Sequence, residues 1–292
     1  MSELCCVVPA GDICGEGAVW HPEQNALYWT DINRFLVHKF VADAGTTETW
    51  LFDEPVTAVT LTTDPEVLLL VLASKVGFWS PRTHPKVEAI HHLAVAPALR
   101  FNDARVDPRG SLWVGTMRNN VGPNGEMLDV TQSDAVLYRI DPGGHVSEWK
   151  KEIGISNTVA WSPDGKTFYF GDSIANRICS YAYNQQTGDI SDEKAFFTGH
   201  ERGVPDGSAM DAAGFLWNAR FGGRCIIRVA PDGQIDRIVE MPVQNPTTCA
   251  FGGPGLKTLY ITSARSGDRL SGSLFSLNPE VGGFPDNRFR RK

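Results

Sequence analysis

The sequence lacks the features that mark several common classes of protein. Its 292 residues contain no run of about 18 consecutive apolar residues, which excludes a transmembrane helix. No basic stretch precedes an apolar one near the N-terminus, so a secretory signal is not expected. The net charge of -7 argues against a nucleic-acid partner. With 42% hydrophobic residues and a mean hydropathy of -0.19, the composition is that of a soluble protein with a substantial core.

Cysteine pairing motifs are also missing. None of the six cysteines forms a Cys-x-x-Cys pair, and a chain of this length does not need disulfides to fold. We therefore expect reduced thiols, a cytoplasmic location and no metal held by cysteine.

A repeated signature is the strongest pattern that the sequence does contain. A turn with Pro, Asp or Gly is followed by an aromatic or aliphatic strand, as in His21-Pro22-Glu23 before Leu27-Tyr28-Trp29. Six copies occur, and the intervals between their anchor residues are 41, 44, 56, 48 and 43. The anchor residues are Leu27, Leu68, Leu112, Phe168, Leu216 and Leu259.

The repeat predicts an all-β fold. Short β-rich runs end in Gly, Pro, Asp or Asn, which is typical of antiparallel hairpins, and no long segment has a 3.6-residue period. Six four-stranded units would form a six-bladed β-propeller with a central channel, and we treat residues 1–292 as one domain. A pair of β-sandwiches is the alternative, but the sixfold spacing favours the propeller.

Four polar residues precede the signature at a nearly constant distance. Glu16 and Asn157 lie 11 residues before their anchors, whereas Asn102 and Asp206 lie 10 residues before theirs. Equivalent places in a ring of blades would let these side chains meet at its centre. Oxygen ligands without His or Cys favour Ca²⁺, Mg²⁺ or Mn²⁺, with Zn²⁺ or Fe²⁺ as alternatives if substrate and water complete the shell. Asp103 should point away from Asn102 in a strand, and we expect a structural role for it.

The longest interval between anchors contains a polar stretch from Arg118 to Glu126. Its core, Gly122-Pro123-Asn124-Gly125, cannot sit in a regular strand. We therefore predict an extended loop that follows the segment of Asn102 and can cover the channel mouth.

Several segments resemble the regucalcin/gluconolactonase family of sugar lactonases, in order along nearly the whole chain. They are Gly15-Glu16-Gly17-Ala18-Val19-Trp20, Arg100-Phe101-Asn102-Asp103, Asp107-Pro108-x-Gly110, Gly115-Thr116-Met117, Ile155-Ser156-Asn157, Asp164-Gly165, Pro205-Asp206-Gly207 and Phe251-Gly252-Gly253. The resemblance implies a six-bladed propeller that holds one divalent cation, with Ca²⁺ the expected ion, and hydrolyses a sugar lactone. Carried over by position, Glu16, Asn157 and Asp206 would bind the metal, and Arg100 and Asn102 would contact the substrate.

One position departs from the family pattern. Animal gluconolactonases carry an acidic residue three positions after the Gly-Thr-Met motif, where it helps to hold the substrate, and this chain has Asn120 there. We assign Asn120 to substrate binding, with Glu126 of the same loop as an alternative. The identity of the sugar and its ring size are left open, and a structural salt bridge is the alternative role for Arg100.

The predicted reaction is attack of water on a lactone carbonyl that is polarised by the cation. Asp206 is the expected general base, because a carboxylate with one oxygen on the metal has another for a proton. A phosphotriesterase-like activity and a non-enzymatic binding platform are the alternatives. The tetrapeptide Tyr28-Trp29-Thr30-Asp31 is typical of receptor-type propellers and favours the platform, but only weakly, because it occurs once. The expected partner is a small sugar lactone, with no membrane and a monomer or weak homo-oligomer.

Overall fold

The computed structural model describes residues 4–291, whose regular structure is almost all β-strand. Twenty-four strands form six four-stranded antiparallel sheets arranged as blades around an axis, and no α-helix occurs in this part of the chain. Nor do these residues include a helix that is long and apolar enough to cross a membrane. The predicted all-β, six-bladed β-propeller is confirmed.

Five blades use four consecutive strands each, and the sixth combines strands from both ends of the chain. Blade 6 contains β1 (Cys5–Val8) with β22 (Pro246–Gly252), β23 (Thr258–Ser263) and β24 (Leu274–Leu277). Blade 1 contains β2 (Gly15–His21), β3 (Ala26–Asp31), β4 (Leu36–Val41) and β5 (Thr46–Leu51). Blade 2 contains β6 (Val56–Leu61), β7 (Leu68–Leu72), β8 (Lys75–Trp79) and β9 (Val87–His92). Blade 3 contains β10 (Leu99–Val106), β11 (Leu112–Arg118), β12 (Ala135–Ile140) and β13 (Val146–Ile153). Blade 4 contains β14 (Ser156–Trp161), β15 (Thr167–Asp172), β16 (Arg177–Tyr183) and β17 (Ile190–Thr198). Blade 5 contains β18 (Val204–Met210), β19 (Leu216–Phe221), β20 (Cys225–Val229) and β21 (Ile235–Glu240). Short 3₁₀ turns occur at Pro22–Gln24, Pro81–Thr83 and Pro254–Leu256.

The repeated signature corresponds to the second strand of every blade. Each of the six anchor residues lies in that strand and is at most 2% exposed, so the repeat marks the core of each blade. In two copies of the signature, the aspartate of the turn accepts hydrogen bonds from residues that follow it in the chain. Asp107 accepts hydrogen bonds from the backbone N–H groups of Arg109 and Ser111 and from the indole of Trp113 at 3.0 Å. Asp211 binds the indole of Trp217 in the same way. The turn is thereby tied to the strand that it introduces.

The first strands of the blades form the inner ring. These inner strands, β2, β6, β10, β14, β18 and β22, each pack against the inner strands of both neighbouring blades. Side chains tie neighbours together, since Thr57 Oγ1 donates to the Asn102 carbonyl at 3.0 Å and Thr247 Oγ1 donates to the Gly15 carbonyl at 2.5 Å. The ring closes where β1 pairs with β24.

A C-terminal strap, residues 279–291, crosses one face of the ring. Its backbone bonds to the last residues of two inner strands, with Phe284 N donating to the Met210 carbonyl and Phe289 N donating to the Leu61 carbonyl. Asn287 Nδ2 donates to the carbonyl of Val106, the end of β10, at 3.1 Å. The strap therefore lies over the channel mouth at the ends of the inner strands, and the opposite mouth, at their starts, carries the candidate site.

Candidate active site

In every blade the pairing between the inner strand and the second strand has a break in register, and the break lies near the start of the inner strand. The six breaks lie between Glu16 and Val19, Val56 and Ala58, Phe101 and Ala104, Asn157 and Ala160, Pro205 and Ser208, and Pro246 and Cys249. Such a bulge redirects side chains and is common beside functional sites. Residues 17 and 158 adopt positive φ angles of 58° and 54° there. The four polar residues that precede the signature, Glu16, Asn102, Asn157 and Asp206, therefore share one structural position. Thr57 and Thr247 occupy this position in the other two blades.

One cavity of about 320 Å³ contains all of the site residues that the sequence predicts. The residues in question are Glu16, Arg100, Asn102, Asn120, Asn157 and Asp206. Polar groups lie at the channel end of the cavity, whereas Met117, Met127, Leu128 and Phe221 contribute an apolar wall. The sequence did not indicate Met127, Leu128 and Phe221, because neither the repeat nor the motifs include them, and it gave Met117 no role of its own although that residue ends the Gly115-Thr116-Met117 motif.

Glu16 and Asp206 form a close pair of buried carboxyl groups. Glu16 Oε2 accepts a hydrogen bond from Gly17 N at 2.9 Å, and the two carboxyl groups hydrogen-bond each other. Burial raises the pKa of Glu16, and the nearby Asp103 raises it further. Burial also raises the pKa of Asp206, with Glu16 as the next cause. Two buried carboxylates in contact repel each other unless a proton or a cation lies between them.

Asn157 adds an amide oxygen to this pair. Its Nδ2 donates to Ser173 Oγ at 2.9 Å, which leaves Oδ1 facing the channel, where it accepts from Asn102 Nδ2 at 3.2 Å. Residues 4–291 contain no group of three or more His, Cys, Asp or Glu side chains arranged to hold a metal. A cation here would instead have two carboxylates and an amide oxygen. That all-oxygen set fits the hard cations Ca²⁺, Mg²⁺ and Mn²⁺.

Asp103 also faces the channel, contrary to the strand alternation that predicted it would point away. It lines a gap of about 10 Å³ that lies further along the inner strands and is bounded by Asp286 of the strap. Asp103 Oδ2 accepts a hydrogen bond from Val159 N at 3.3 Å, and burial raises its pKa. The bulge after Phe101 explains the difference, since it interrupts the two-residue period on which the prediction depended.

Arg100 is buried among neutral partners. It is 4% exposed, and no ion pair involving it occurs within residues 4–291, so the alternative of a salt bridge is not supported. Its Nη1 donates to Asn102 Oδ1 at 2.6 Å and to the Phe101 carbonyl at 2.9 Å. Its Nε and Nη2 both donate to Asn120 Oδ1, at 3.2 and 2.7 Å. Burial lowers the pKa of Arg100 to about 10, which leaves it protonated at neutral pH.

Asn102 has protein partners on both ends of its amide. Its Oδ1 accepts from Arg100, and its Nδ2 donates to the Ser156 carbonyl at 2.8 Å and to Asn157 Oδ1. Asn102 therefore links the guanidinium on one side to the amide of the candidate cation site on the other.

The predicted loop forms a lid between β11 and β12. Residues 119–134 lie outside the regular strands, and Val121 pairs with Met127 across a tight turn. The tip is fixed to blade 1, because Asn33 Nδ2 donates to the Gly125 carbonyl at 2.8 Å. Met127 and Leu128 of the lid line the cavity. Glu126 does not line it, because it is exposed and accepts a hydrogen bond from Asn124 N of the same turn at 2.9 Å.

Comparison with known proteins identifies the family. The model described as the SMP-30/Gluconolactonase/LRE-like region matches residues 14–265. The chain belongs to this family. The resemblance to regucalcin and gluconolactonase is therefore confirmed, and the matched segment contains every site residue that the sequence predicts.

Relatives in the SMP-30/gluconolactonase family match over nearly the full length. Pentonolactonase XacC of Haloferax volcanii is 31% identical over 287 residues, which cover 94% of each chain. Regucalcin of Homo sapiens is 31% identical over 281 residues, covering 95% of this chain and 91% of its own. A solved structure of regucalcin from Agrobacterium tumefaciens, described as a calcium-binding protein, superposes with a TM-score of 0.89 at 27% identity. It covers 98% of this chain and 96% of that one.

Proposed function

We propose that this protein hydrolyses a sugar lactone to the sugar acid, with a divalent cation held by Glu16, Asn157 and Asp206. The observation that carries the proposal is the pair of buried carboxyl groups beside an amide oxygen at the channel end of the 320 Å³ cavity. Family membership supports it, as does the similarity over 94% of the chain to a protein named pentonolactonase.

Three residues of the chain would perform distinct parts of the reaction. A bound cation would supply polarisation of the lactone carbonyl. Asp206 would take a proton from the water that attacks the carbonyl carbon, through the carboxylate oxygen that the cation leaves free. Arg100 and Asn120 would hold substrate hydroxyl or carboxyl oxygens with the N–H groups that the protein leaves unbonded. The ring C–O bond then breaks, and the leaving oxygen takes up the proton.

Asn102 would act on the other residues of the site. Because both ends of its amide are bonded, it would position Arg100 and Asn157 more than it would grip the sugar. The apolar side chains of the lid, Met127 and Leu128, would cover the bound lactone and limit the access of water.

Ca²⁺ is the cation that we propose, and Mg²⁺, Mn²⁺, Zn²⁺ and Fe²⁺ are the alternatives to test. Carboxylate and amide oxygens without nitrogen or sulfur ligands suit Ca²⁺ well. The two carboxylates of Glu16 and Asp206 would balance its charge.

The proposal is tested by removing and restoring the cation. The purified protein is treated with a chelator, reconstituted with each of the five ions and assayed by acid release from glucono-, xylono-, arabino- and galactonolactone. We expect turnover to disappear with the chelator and to return with at least one ion. Bound metal, measured by elemental analysis, should return with the activity. Full turnover in the chelated, metal-free protein would overturn the role of the cation, and no turnover of any lactone with any ion would overturn the reaction.

A further inference from the structure

The guanidinium of Arg100 has one N–H group without a protein acceptor. An arginine side chain carries five N–H donors. Both donors of Nη1, the donor of Nε and one donor of Nη2 are bonded to Phe101, Asn102 and Asn120. The remaining donor belongs to Nη2, on a side chain that lines the cavity.

The amide of Asn120 presents a second unbonded donor beside it. Asn120 Oδ1 accepts from both Nε and Nη2 of Arg100, which fixes the orientation of the amide. No acceptor within residues 4–291 bonds to Asn120 Nδ2, and Asn120 also lines the cavity. Two nitrogen atoms with unbonded N–H groups, Arg100 Nη2 and Asn120 Nδ2, belong to side chains joined at a single oxygen and match the two oxygens of a carboxylate.

The charges around the cavity favour an anion at this place. Arg100 has no carboxylate partner, and a divalent ion would neutralise Glu16 and Asp206. A second buried guanidinium, Arg220, lies close enough to feel the charge of Asp206 and has only neutral partners. Besides Glu16 and Asp206, the one acidic residue within residues 4–291 that lines the cavity is Asp129, an exposed residue of the lid, whereas Asp103 faces Arg105 in the channel.

We propose that the substrate is a lactone with a second, free carboxylate, an aldarolactone, and that Arg100 and Asn120 bind this carboxylate. The inference rests on the proposed lactonase function and narrows its substrate class. In an aldarolactone a carboxylate replaces the hydroxymethyl group of the corresponding aldonolactone. This group is ionised at neutral pH, so it would pair with the unpaired charge of Arg100 and accept both unbonded donors. A hydroxymethyl group in the same place would leave that charge without a partner.

The reaction itself is unchanged by the second carboxylate. Water adds to the lactone carbonyl carbon, and the bond from this carbon to the ring oxygen breaks. The ring oxygen becomes a hydroxyl group, and the new carboxylic acid releases one proton. The product is a dicarboxylate, and no oxidant or reductant is involved.

The test compares lactones that differ only at the terminal carbon. Rates are measured for glucarolactone against gluconolactone and for galactarolactone against galactonolactone, with the cation-loaded protein. We expect kcat/KM to be higher for the aldarolactone of each pair by about tenfold or more, the scale of a charge-assisted hydrogen bond. Binding of the acids, glucarate and gluconate, is measured separately by calorimetry and should show the same order.

A variant pair isolates the contribution of Asn120. Asn120→Asp keeps an oxygen for Arg100 but removes the donor and adds a negative charge, so the preference for the aldarolactone should fall by about tenfold or more. Asn119→Asp makes the same change at the adjacent, exposed residue, whose Oδ1 accepts from Val121 N and which does not line the cavity. Asn119→Asp should retain the wild-type preference. Asn120→Ala, which removes the donor without adding a charge, gives an intermediate case.

The outcomes separate this inference from the proposed function. Hydrolysis of both members of each pair at equal kcat/KM, or faster hydrolysis of the aldonolactone, overturns the inference and leaves the lactonase function standing. If no lactone is hydrolysed, the proposed function fails and the substrate assignment fails with it, and calorimetry then tests only whether Arg100 and Asn120 bind the second carboxylate. Equal or weaker binding of glucarate relative to gluconate, or an unchanged preference in Asn120→Asp, also overturns it.

Discussion

Asp206 lies at the bulge of β18, in contact with Glu16, and is 6% exposed. Its two proposed tasks need different properties of one side chain. Cation binding needs an oxygen and a negative charge, whereas proton transfer needs a group that can accept a proton. An asparagine keeps an oxygen but has neither the charge nor the basicity of the carboxylate. Varying the cation concentration separates the two tasks, because saturating cation compensates for weaker binding but not for a missing base.

Asp206→Asn should weaken cation binding by roughly tenfold or more, because the number of charged ligands sets the affinity of such sites. At saturating cation, kcat should still be lower by about 10²–10⁴-fold, the usual contribution of a general base. Calorimetry and steady-state rates measure the two effects. Asp232→Asn, at an exposed turn where the side chain accepts from Gln234 N, is the control and should change neither. If Asp206→Asn has the wild-type kcat at saturating cation, Asp206 is not the general base.

At the scale of strands and loops, the bulge of each inner strand determines what reaches the channel. In β2 this bulge requires glycine at position 17. A Cβ atom on Gly17 would lie 2.6 Å from Ala58 Cα and 2.7 Å from the Thr57 carbonyl oxygen, both in the neighbouring blade. Gly17, the residue after Glu16, therefore combines a positive φ angle with close packing between β2 and β6.

Gly17→Ala should destabilise the protein by more than the cost of its backbone angle. That cost alone is about 1–2 kcal/mol for an L-residue in the left-handed region. Gly45 has a similar φ angle, 64° against 58°, and no atom within 4 Å of a Cβ placed on it, so Gly45→Ala measures the backbone cost alone. Urea unfolding of the chelated proteins should give a larger loss for Gly17→Ala. Equal losses of unfolding free energy in the two variants would show that blades 1 and 2 accommodate the added methyl group at position 17 without further cost.

The sequence predicted the blades and singled out four polar residues because both patterns recur along the chain. Each anchor is a core residue of a second strand, and the four polar residues lie 10 or 11 residues before their anchors. Thr57 and Thr247 escaped notice because their side chains bond to neighbouring backbone and carry no obvious chemistry. Asp103 was assigned to the wrong direction because the bulge breaks strand alternation. The bonds from Arg100 to Asn120 join residues of β10 and the lid, and no local pattern encodes them.

At the scale of the whole molecule, the strap gave no sequence signal, because its contacts reach the ends of inner strands far away in the chain. Phe289 of the strap is 2% exposed and packs in a core cluster with Leu69, Phe101 and Leu112. Phe284 of the same strap is 38% exposed. The two phenylalanines therefore offer a direct comparison of an anchoring and a non-anchoring position.

Phe289→Ala should lower the free energy of unfolding by about 3–5 kcal/mol, the usual cost of deleting a buried aromatic ring. Phe284→Ala should cost much less, because its ring is already partly in water. Thermal and urea unfolding of both variants, at a fixed cation concentration, provide the measurement. A loss in Phe289→Ala no larger than that in Phe284→Ala would show that the strap contributes little to holding the ring.

The pairing of β1 with β24 also has a consequence for the newly made chain. Cys5–Val8 leave the ribosome long before their hydrogen-bonding partners in Leu274–Leu277 are made. At translation rates of about 5–20 residues per second, the first strand waits on the order of tens of seconds for its partner. Five blades can assemble in order during that time. The channel, and with it the complete set of ligands around the axis, takes its final form only after Leu274–Leu277 have been made.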